Sequence, residues 1–88
     1  METARRMPKR PSRKERRALL SLFREIRLEA DLRQVDLARK LGNAQSFVSR
    51  YESGERRLDI LELRSLCRVV GISPAAFFRR FEKKLNEA

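Results

Sequence analysis

The sequence predicts an all-α protein, a compact bundle of five helices, and three features support this prediction. Apolar residues recur in the i, i+1, i+4 pattern of one helix face over most of the chain beyond residue 12. Residues that commonly begin helices precede several of these stretches, and glycines follow them. No stretch alternates apolar and polar side chains as a strand would, and 88 residues allow one small domain.

The amino-terminal region is strongly basic, with eight Lys or Arg and two Pro among its first seventeen residues. Residues 1–11 are expected to form a flexible basic arm, because they hold too little apolar surface to offset the entropy cost of ordering. Two interpretations stay open: a solubilising tail, or an arm that follows DNA phosphates or enters a minor groove. Residues 12–88 are expected to form the folded domain.

The first helix is expected to begin near Arg13, because Ser12 and Glu15 have the spacing of a capping box. Its apolar positions form one stripe that requires a packing partner. These positions are Ala18, Leu19, Leu22, Phe23, Ile26 and Ala30.

Two short helices joined by a tight turn are predicted in the middle of the chain, over residues 33–57. Gln34 opens the first of them, and Gly42 ends it in the left-handed conformation that glycine adopts most easily. The second, residues 45–52, has polar residues on one side, which suits insertion into a DNA major groove. Its apolar residues are Phe47, Val48 and Tyr51, and its polar residues are Gln45, Ser46, Ser49 and Arg50.

Two more helices are predicted after this pair. Asp59 is a good N-cap for the fourth helix, which Gly71 ends, and Ser73 followed by Pro74 is a second start signal. The inward positions of the fourth helix are Leu63, Leu66, Cys67 and Val70, and the apolar positions of the fifth are Phe77, Phe78, Phe81 and Leu85. Cys67 is expected to be a small buried hydrophobe and not a redox sensor.

The composition restricts the function. The chain has 22 Lys and Arg against 12 acidic residues, a net charge of +10, which favours a polyanionic partner. No apolar run approaches the roughly 20 residues of a membrane-spanning helix, and no signal-peptide pattern is present, so we expect a cytoplasmic protein without a membrane partner. One cysteine and no histidine argue against a disulfide framework, a metal site or a cofactor.

A combined pattern extends over residues 19–78, formed by Phe23 to Arg27, Gln34, Leu37, Ala38, Leu41, Gly42, Gln45, Val48 to Glu52, Gly54, Leu63, Leu66 and Val70 to Ser73. In this order and spacing, these residues resemble the XRE-type helix-turn-helix family of phage repressors and Cro proteins. The resemblance implies a lambda repressor-like bundle in a prokaryote or phage, which binds operator DNA as a two-fold dimer.

The resemblance also implies roles for individual residues. Arg27 is similar to a family arginine that forms an ion pair with the position of Glu52. Base contacts are implied for Gln45, Ser46, Phe47 and Arg50. Phosphate contacts are expected from Arg33, Gln34, Asn43, Ser49, Arg56 and Arg57.

Side-chain chemistry leaves alternatives open at the tip of the second short helix. Gln45 matches the donor and acceptor pair of adenine, or it caps the turn or contacts phosphate. Ser46 serves a base edge or a phosphate equally well. Phe47 is unusual for the family, and it either presses on a thymine methyl or folds back into the core. Arg50 can span a guanine with two hydrogen bonds, but a phosphate satisfies it as readily.

Three positions depart from the family pattern. Arg33 stands where Ser or Thr usually caps the helix, a loss of about 1 kcal/mol. Ala44 likewise replaces a capping residue, so Asn43 is expected to cap one position early. Leu58 occupies a common proline position.

Arg56 and Arg57, which follow the glycine turn, are either a solvated charge pair or phosphate contacts.

The last helix raises the question of assembly. Once Phe77 fills the core, Phe78, Phe81 and Leu85 are expected to leave an apolar strip that forms a homodimer interface. Such a dimer would separate two recognition helices by about 34 Å, one turn of DNA. The alternative is a monomer in which all phenylalanines are buried.

Two functions are consistent with these observations. The first is a sequence-specific transcriptional regulator of double-stranded DNA that occupies a promoter or helps to recruit RNA polymerase. The second is an antitoxin that regulates its own operon and binds a toxin. An enzyme is not expected, because the chain has no histidine and no phosphate-binding glycine loop.

Overall fold

A computed structural model describes residues 12–87, and it contains five α-helices. They are α1 (Arg13–Glu29), α2 (Gln34–Leu41), α3 (Gln45–Ser53), α4 (Ile60–Val70) and α5 (Pro74–Glu87). No strand occurs within that range, and the predicted all-α fold class is confirmed. The predicted basic arm, residues 1–11, lies outside the described residues, as does residue 88.

Helices α1 and α4 begin with complete capping boxes. The Ser12 hydroxyl accepts the Glu15 N–H at 3.0 Å, and the Glu15 carboxylate accepts the Ser12 N–H at 2.9 Å. Asp59 and Glu62 repeat this exchange at 2.8 and 3.0 Å. Two backbone donors at each helix start are therefore satisfied, which fixes where the helix begins.

Helices α2 and α3 begin without a hydroxyl cap. At α2 the Asp36 carboxylate accepts the Arg33 N–H at 2.9 Å, so one half of a capping box remains. The expectation that Asn43 caps α3 one position early is wrong, because Ala44 is the N-cap residue and no side chain caps it. The Asn43 side-chain oxygen instead accepts the Ala44 N–H at 3.1 Å, and α3 begins at Gln45.

All five helices contribute to one hydrophobic core. Its buried members are Leu22, Phe23, Ile26, Leu37, Ala38, Phe47, Val48, Tyr51, Leu66, Cys67 and Phe77. The rings of Phe23 and Tyr51 meet at 4.3 Å between centroids, which joins α1 to α3. Burial also raises the pKa of the Cys67 thiol, so this cysteine is a packing residue with little thiolate character.

Two glycines make the turns on either side of α3. Gly42 has a φ of 69° between α2 and α3, and Gly54 has a φ of 87° at the end of α3. A Cβ at Gly54 would lie 3.4 Å from Leu20 Cδ1, so α1 also passes close to this turn. Both positions require a left-handed backbone that a side chain disfavours.

Helix α5 is held against α1 by salt bridges as well as by its apolar side. Arg80 donates to both Glu29 oxygens at 2.8 Å, and Lys84 Nζ lies 2.7 Å from Glu25 Oε2. Hydrogen bonding and charge from Arg80 lower the pKa of the Glu29 carboxyl. Both pairs are at least partly exposed, so they orient α5 more than they stabilise the fold.

Candidate nucleic-acid interface

Helix α3 has one buried side and one exposed side. Phe47, Val48 and Tyr51 are buried in the core. The polar residues Gln45, Ser46, Ser49 and Arg50 are all exposed. The helix is therefore anchored by its apolar side, and its hydrogen-bonding groups face outward from its first turn onward.

Phe47 lies on the buried side of α3. The residue is 9% exposed and belongs to the core, and the guanidinium carbon of Arg56 lies 4.4 Å from the centre of its ring. Of the two roles considered from the sequence, the core role matches this position. A ring covered by an arginine on one side and the core on the other is not presented to a thymine methyl.

A buried polar network joins the first three helices. Arg27 Nε and Nη2 donate to the two Glu52 oxygens at 2.6 and 3.1 Å, and Arg27 Nη1 donates to the Leu32 carbonyl at 2.8 Å. Gln34 Nε2 donates to Glu52 Oε1 at 3.0 Å. The network fixes α3 relative to α1 and α2, because Arg27 of α1 and Gln34 of α2 both donate to the Glu52 carboxylate.

The residues at the start of α2 and in the turn keep donors available. Gln34 uses one N–H of its amide for Glu52, which leaves a second N–H on the same nitrogen. Asn43 uses its oxygen for the Ala44 N–H, which leaves its amide nitrogen. Arg33 forms a two-bond contact with Asp36 at 2.9 Å while its side chain is largely exposed.

The two arginines of the loop between α3 and α4 differ in their contacts. Arg56 donates to both Glu62 oxygens at 3.0 and 2.8 Å and to the Arg57 carbonyl at 3.0 Å. Hydrogen bonds from Arg56 lower the pKa of the Glu62 carboxyl. Arg57 is exposed. From the sequence the two arginines looked equivalent, and the pair between Arg56 and Glu62 was not anticipated.

A further contact not found from the sequence links α1 to the end of α3. Arg16 Nη2 donates to the Gly54 carbonyl at 2.9 Å, across 38 residues of sequence. Such a contact depends on the packing of α1, and no local motif in the sequence indicates it. It stabilises the turn that leads into the Arg56 loop.

Part of the apolar strip predicted on α5 is exposed at the surface. Phe78 is 48% exposed and meets Phe81 edge to face at 6.2 Å between ring centroids. Phe81 and Leu85 are half-buried, and Phe81 packs against the core. At the start of α4, Ile60 and Leu61 are 72% and 71% exposed, an apolar surface that was not predicted from the sequence.

The same part of the chain offers neither a metal site nor a membrane span. Between residues 12 and 87, no group of three or more acidic or cysteine side chains is arranged to hold a metal ion. None of the described helices combines the length and the apolar composition needed to cross a membrane.

Known proteins with the same helix-turn-helix fold are similar to this chain in sequence and structure. The helix-turn-helix family model matches residues 23–77, well over half of the chain. An XRE-family like protein from Pseudomonas syringae pv. tomato str. DC3000 is 43% identical, with a TM-score of 0.73 over 78% of this chain and 84% of that chain. Among curated proteins, none is similar enough to count as a match.

Two further solved structures share the fold. The wild-type restriction-modification controller protein C.Esp1396I is 26% identical, with a TM-score of 0.78 over 89% of this chain and 100% of that chain. The clp gene regulator ClgR from Corynebacterium glutamicum is 21% identical with a TM-score of 0.74, covering 91% and 82% of the two chains, and shows the fold alone. The resemblance inferred from the sequence is confirmed: this chain belongs to the XRE-type helix-turn-helix family, whose members are DNA-binding transcriptional regulators and not enzymes.

Proposed function

We propose that this protein is a sequence-specific regulator of transcription that binds a palindromic operator as a homodimer, with α3 in the major groove of each half-site. The observation that carries the proposal is the division of α3 into a buried apolar side and an exposed polar side. The similarity to a restriction-modification controller protein supports the regulatory part. A protein with this role works in the prokaryotic cytoplasm, where the nucleoid DNA is accessible.

Base reading is assigned to Gln45, Ser46 and Arg50. Gln45 is the first residue of α3 and is exposed, so its amide can pair with N6 and N7 of an adenine. Arg50 lies further along the same exposed side, and its length allows two hydrogen bonds to a guanine. Phe47 is given a supporting role, because its burial fixes the helix from which the others extend.

Phosphate contacts within the helix-turn-helix unit are assigned to Gln34, Asn43 and Ser49. Gln34 and Asn43 each keep an amide donor after satisfying their internal partners. Because Glu52 holds the Gln34 side chain, the free N–H is positioned before DNA arrives, which lowers the entropy cost of the contact. Ser49 is exposed on α3 and supplies a hydroxyl.

Two of the arginines are assigned phosphate contacts, and the third is assigned a structural role in the loop. Arg57 is exposed and is assigned a phosphate contact. Arg33 is assigned one as well, through the N–H donors that its two side-chain bonds to Asp36 leave free. Arg56 already has Glu62 as its partner, so its role is to hold the loop that presents Arg57.

Self-association is assigned to the exposed side of α5. Phe78 is the most exposed residue of the predicted strip, with Phe81 beside it. A contiguous exposed apolar patch commonly marks an interface, and a symmetric dimer matches the symmetry of a palindromic operator.

Selection of bound sequences from a random DNA pool tests the proposal. The wild-type protein is expected to enrich a palindrome whose half-sites are spaced by about 10 base pairs, one turn of DNA. A Gln45→Ala/Arg50→Ala variant should lose the enriched bases, while Arg68→Ala, an exposed arginine on α4, should enrich the same sequence as the wild type. Failure of the wild-type protein to enrich any sequence would refute the proposal, as would an unchanged motif in the double variant.

A further inference from the structure

A cavity opens between the first half of α1, the loop after α3 and α5. Its volume is about 340 Å³, and its wall is predominantly apolar, formed by Leu19, Leu20, Leu58 and Phe81. Small-molecule sites in proteins have volumes of about 300–1,000 Å³ and combine an apolar wall with a few polar groups. The cavity lies on a different side of α3 from the base-reading residues, since Tyr51 of the buried side lines it. Arg57, which is assigned a phosphate contact, also lines it.

One polar group in this cavity has no partner within the described residues. Tyr51 as a whole residue is 2% exposed, and its hydroxyl oxygen is buried without a hydrogen bond. Buried hydroxyls almost always have a partner, because an unsatisfied one is unfavourable for the folded state. Tyr51 is one of the residues that line the cavity, and its unpaired hydroxyl can donate its hydrogen to an acceptor on a molecule bound there.

The charged groups around the cavity favour an anion. Arg16 and Arg57 line it, and Arg56 does so while paired with Glu62. The acidic residue of the lining is Glu15, whose carboxylate accepts the Ser12 N–H in the α1 capping box. The guanidinium of Arg16, which donates one bond to the Gly54 carbonyl, retains further N–H donors for a ligand.

We propose that this cavity binds a small apolar carboxylate. The carboxylate accepts hydrogen bonds from the Tyr51 hydroxyl and the Arg16 guanidinium, and the apolar part of the molecule packs against Leu19, Leu20 and Phe81. A hydrogen bond to a charged acceptor is among the stronger ones in proteins, so the Tyr51 hydroxyl contributes to affinity as well as to orientation. The site uses residues separate from those that read bases, and it is testable without DNA.

The test is a titration of the full-length protein, labelled at its leucine and isoleucine methyl groups, with octanoate below its micelle concentration, followed by NMR. Octanoate is expected to shift the methyl signals of Leu19 and Leu20 in a saturable manner, and octan-1-ol to bind more weakly. The variant Tyr51→Phe keeps the ring and removes only the hydroxyl. It should fold at least as stably as the wild type and bind octanoate about tenfold more weakly.

Several results of this titration would overturn the proposal. Absence of saturable shifts at Leu19 and Leu20 would overturn the proposal, as would equal binding of octanoate and octan-1-ol or unchanged affinity in Tyr51→Phe. Shifts confined to Leu61 and Leu85 would show adsorption to other apolar surfaces and would also overturn it. A further result is that octanoate does not shift the Leu19 and Leu20 signals, whereas deletion of residues 1–11 does. The chain's own terminus would then be the occupant, and the proposal would fail.

Discussion

Arg27 and Glu52 form a two-bond ion pair between the last turn of α1 and the last turn of α3, at 2.6 and 3.1 Å. Their side chains are 7% and 8% exposed, so both charges are removed from water. Gln34 shares one of the Glu52 oxygens, and the pair therefore also fixes α2. The Glu52 carboxylate therefore links α3 to both α1 and α2.

Glu52→Ala is expected to destabilise the fold by about 3–5 kcal/mol, because it leaves the Arg27 charge buried without its partner. It also removes the acceptor of the Gln34 amide. Urea unfolding followed by circular dichroism measures the change as a lower transition midpoint.

Glu55→Ala is the matched control for this change. Glu55 is exposed and lies just beyond the end of α3. Removing this carboxylate is expected to change stability by less than about 0.5 kcal/mol. Equal midpoints for Glu52→Ala and the wild type would contradict the structural role assigned to the pair.

Helix positions and the two sides of α3 could be predicted from the sequence, because capping residues and apolar spacing are local signals. Ser12 with Glu15 indicated the start of α1, and Asp59 indicated the start of α4. The Asn43 cap was wrong, since the sequence cannot show that its side chain turns to the adjacent N–H at Ala44.

Contacts across the bundle were harder to predict. The bond from Arg16 to Gly54 and the position of Arg56 over Phe47 depend on how helices pack and on which rotamers long side chains adopt. The pair of Arg27 and Glu52 was anticipated through the family resemblance alone. Its individual side chains carry no signal in composition or spacing that distinguishes them from surface charges.

Replacement of Gln45 and of Arg57 should have different effects on DNA binding. Gln45→Ala is expected to relax preference at one base step by about 1–3 kcal/mol, because it removes a paired contact to a base edge. Arg57→Ala should weaken binding to all sequences alike, since phosphates carry no sequence information. Fluorescence anisotropy with a selected operator and its single-base variants measures both. Uniform weakening by Gln45→Ala would contradict the base-reading assignment.

The salt dependence of DNA affinity reports the number of phosphates that the protein neutralises. If the dimer neutralises about six phosphates, log affinity should fall with log salt at a slope near −5. Arg57→Ala should reduce the magnitude of this slope by about 1 for each phosphate that is no longer neutralised. Arg56→Ala should change it less, because Arg56 is already paired with Glu62. A slope near zero for the wild type would contradict electrostatic anchoring.

The Asp36 carboxyl provides a pH test of the start of α2. Hydrogen bonds from the Arg33 side chain and backbone lower its pKa from 3.8 to about 2. Because the folded pKa is lowered, this stabilisation is complete above about pH 4 and is lost as the pH falls through about 2. Carboxyl ¹³C shifts measure the titration directly.

Arg33→Ala should raise the pKa of Asp36 toward 3.8, since it removes the largest cause of the shift. Arg39→Ala is the control, because Arg39 lies 3.8 Å from Asp36 and has the smallest effect on its pKa. Titration of Asp36 near 3.8 in the wild type would show that Arg33 does not hold it. All of the Arg33 side-chain donors would then be free for phosphate before DNA binds.

Phe78→Glu should weaken self-association if α5 forms the dimer interface. A symmetric interface contains the substitution twice, and removal of each buried aromatic ring costs about 1.5–3 kcal/mol. The dimer dissociation constant should therefore rise about a hundredfold or more. Leu28→Glu is the matched control, because Leu28 is also a large apolar residue, 55% exposed, but lies on α1. Sedimentation equilibrium measures both variants. An equal effect of the two substitutions, or a wild-type protein that stays monomeric at high concentration, would contradict an α5 interface, and operator recognition would then depend on monomers paired only by DNA.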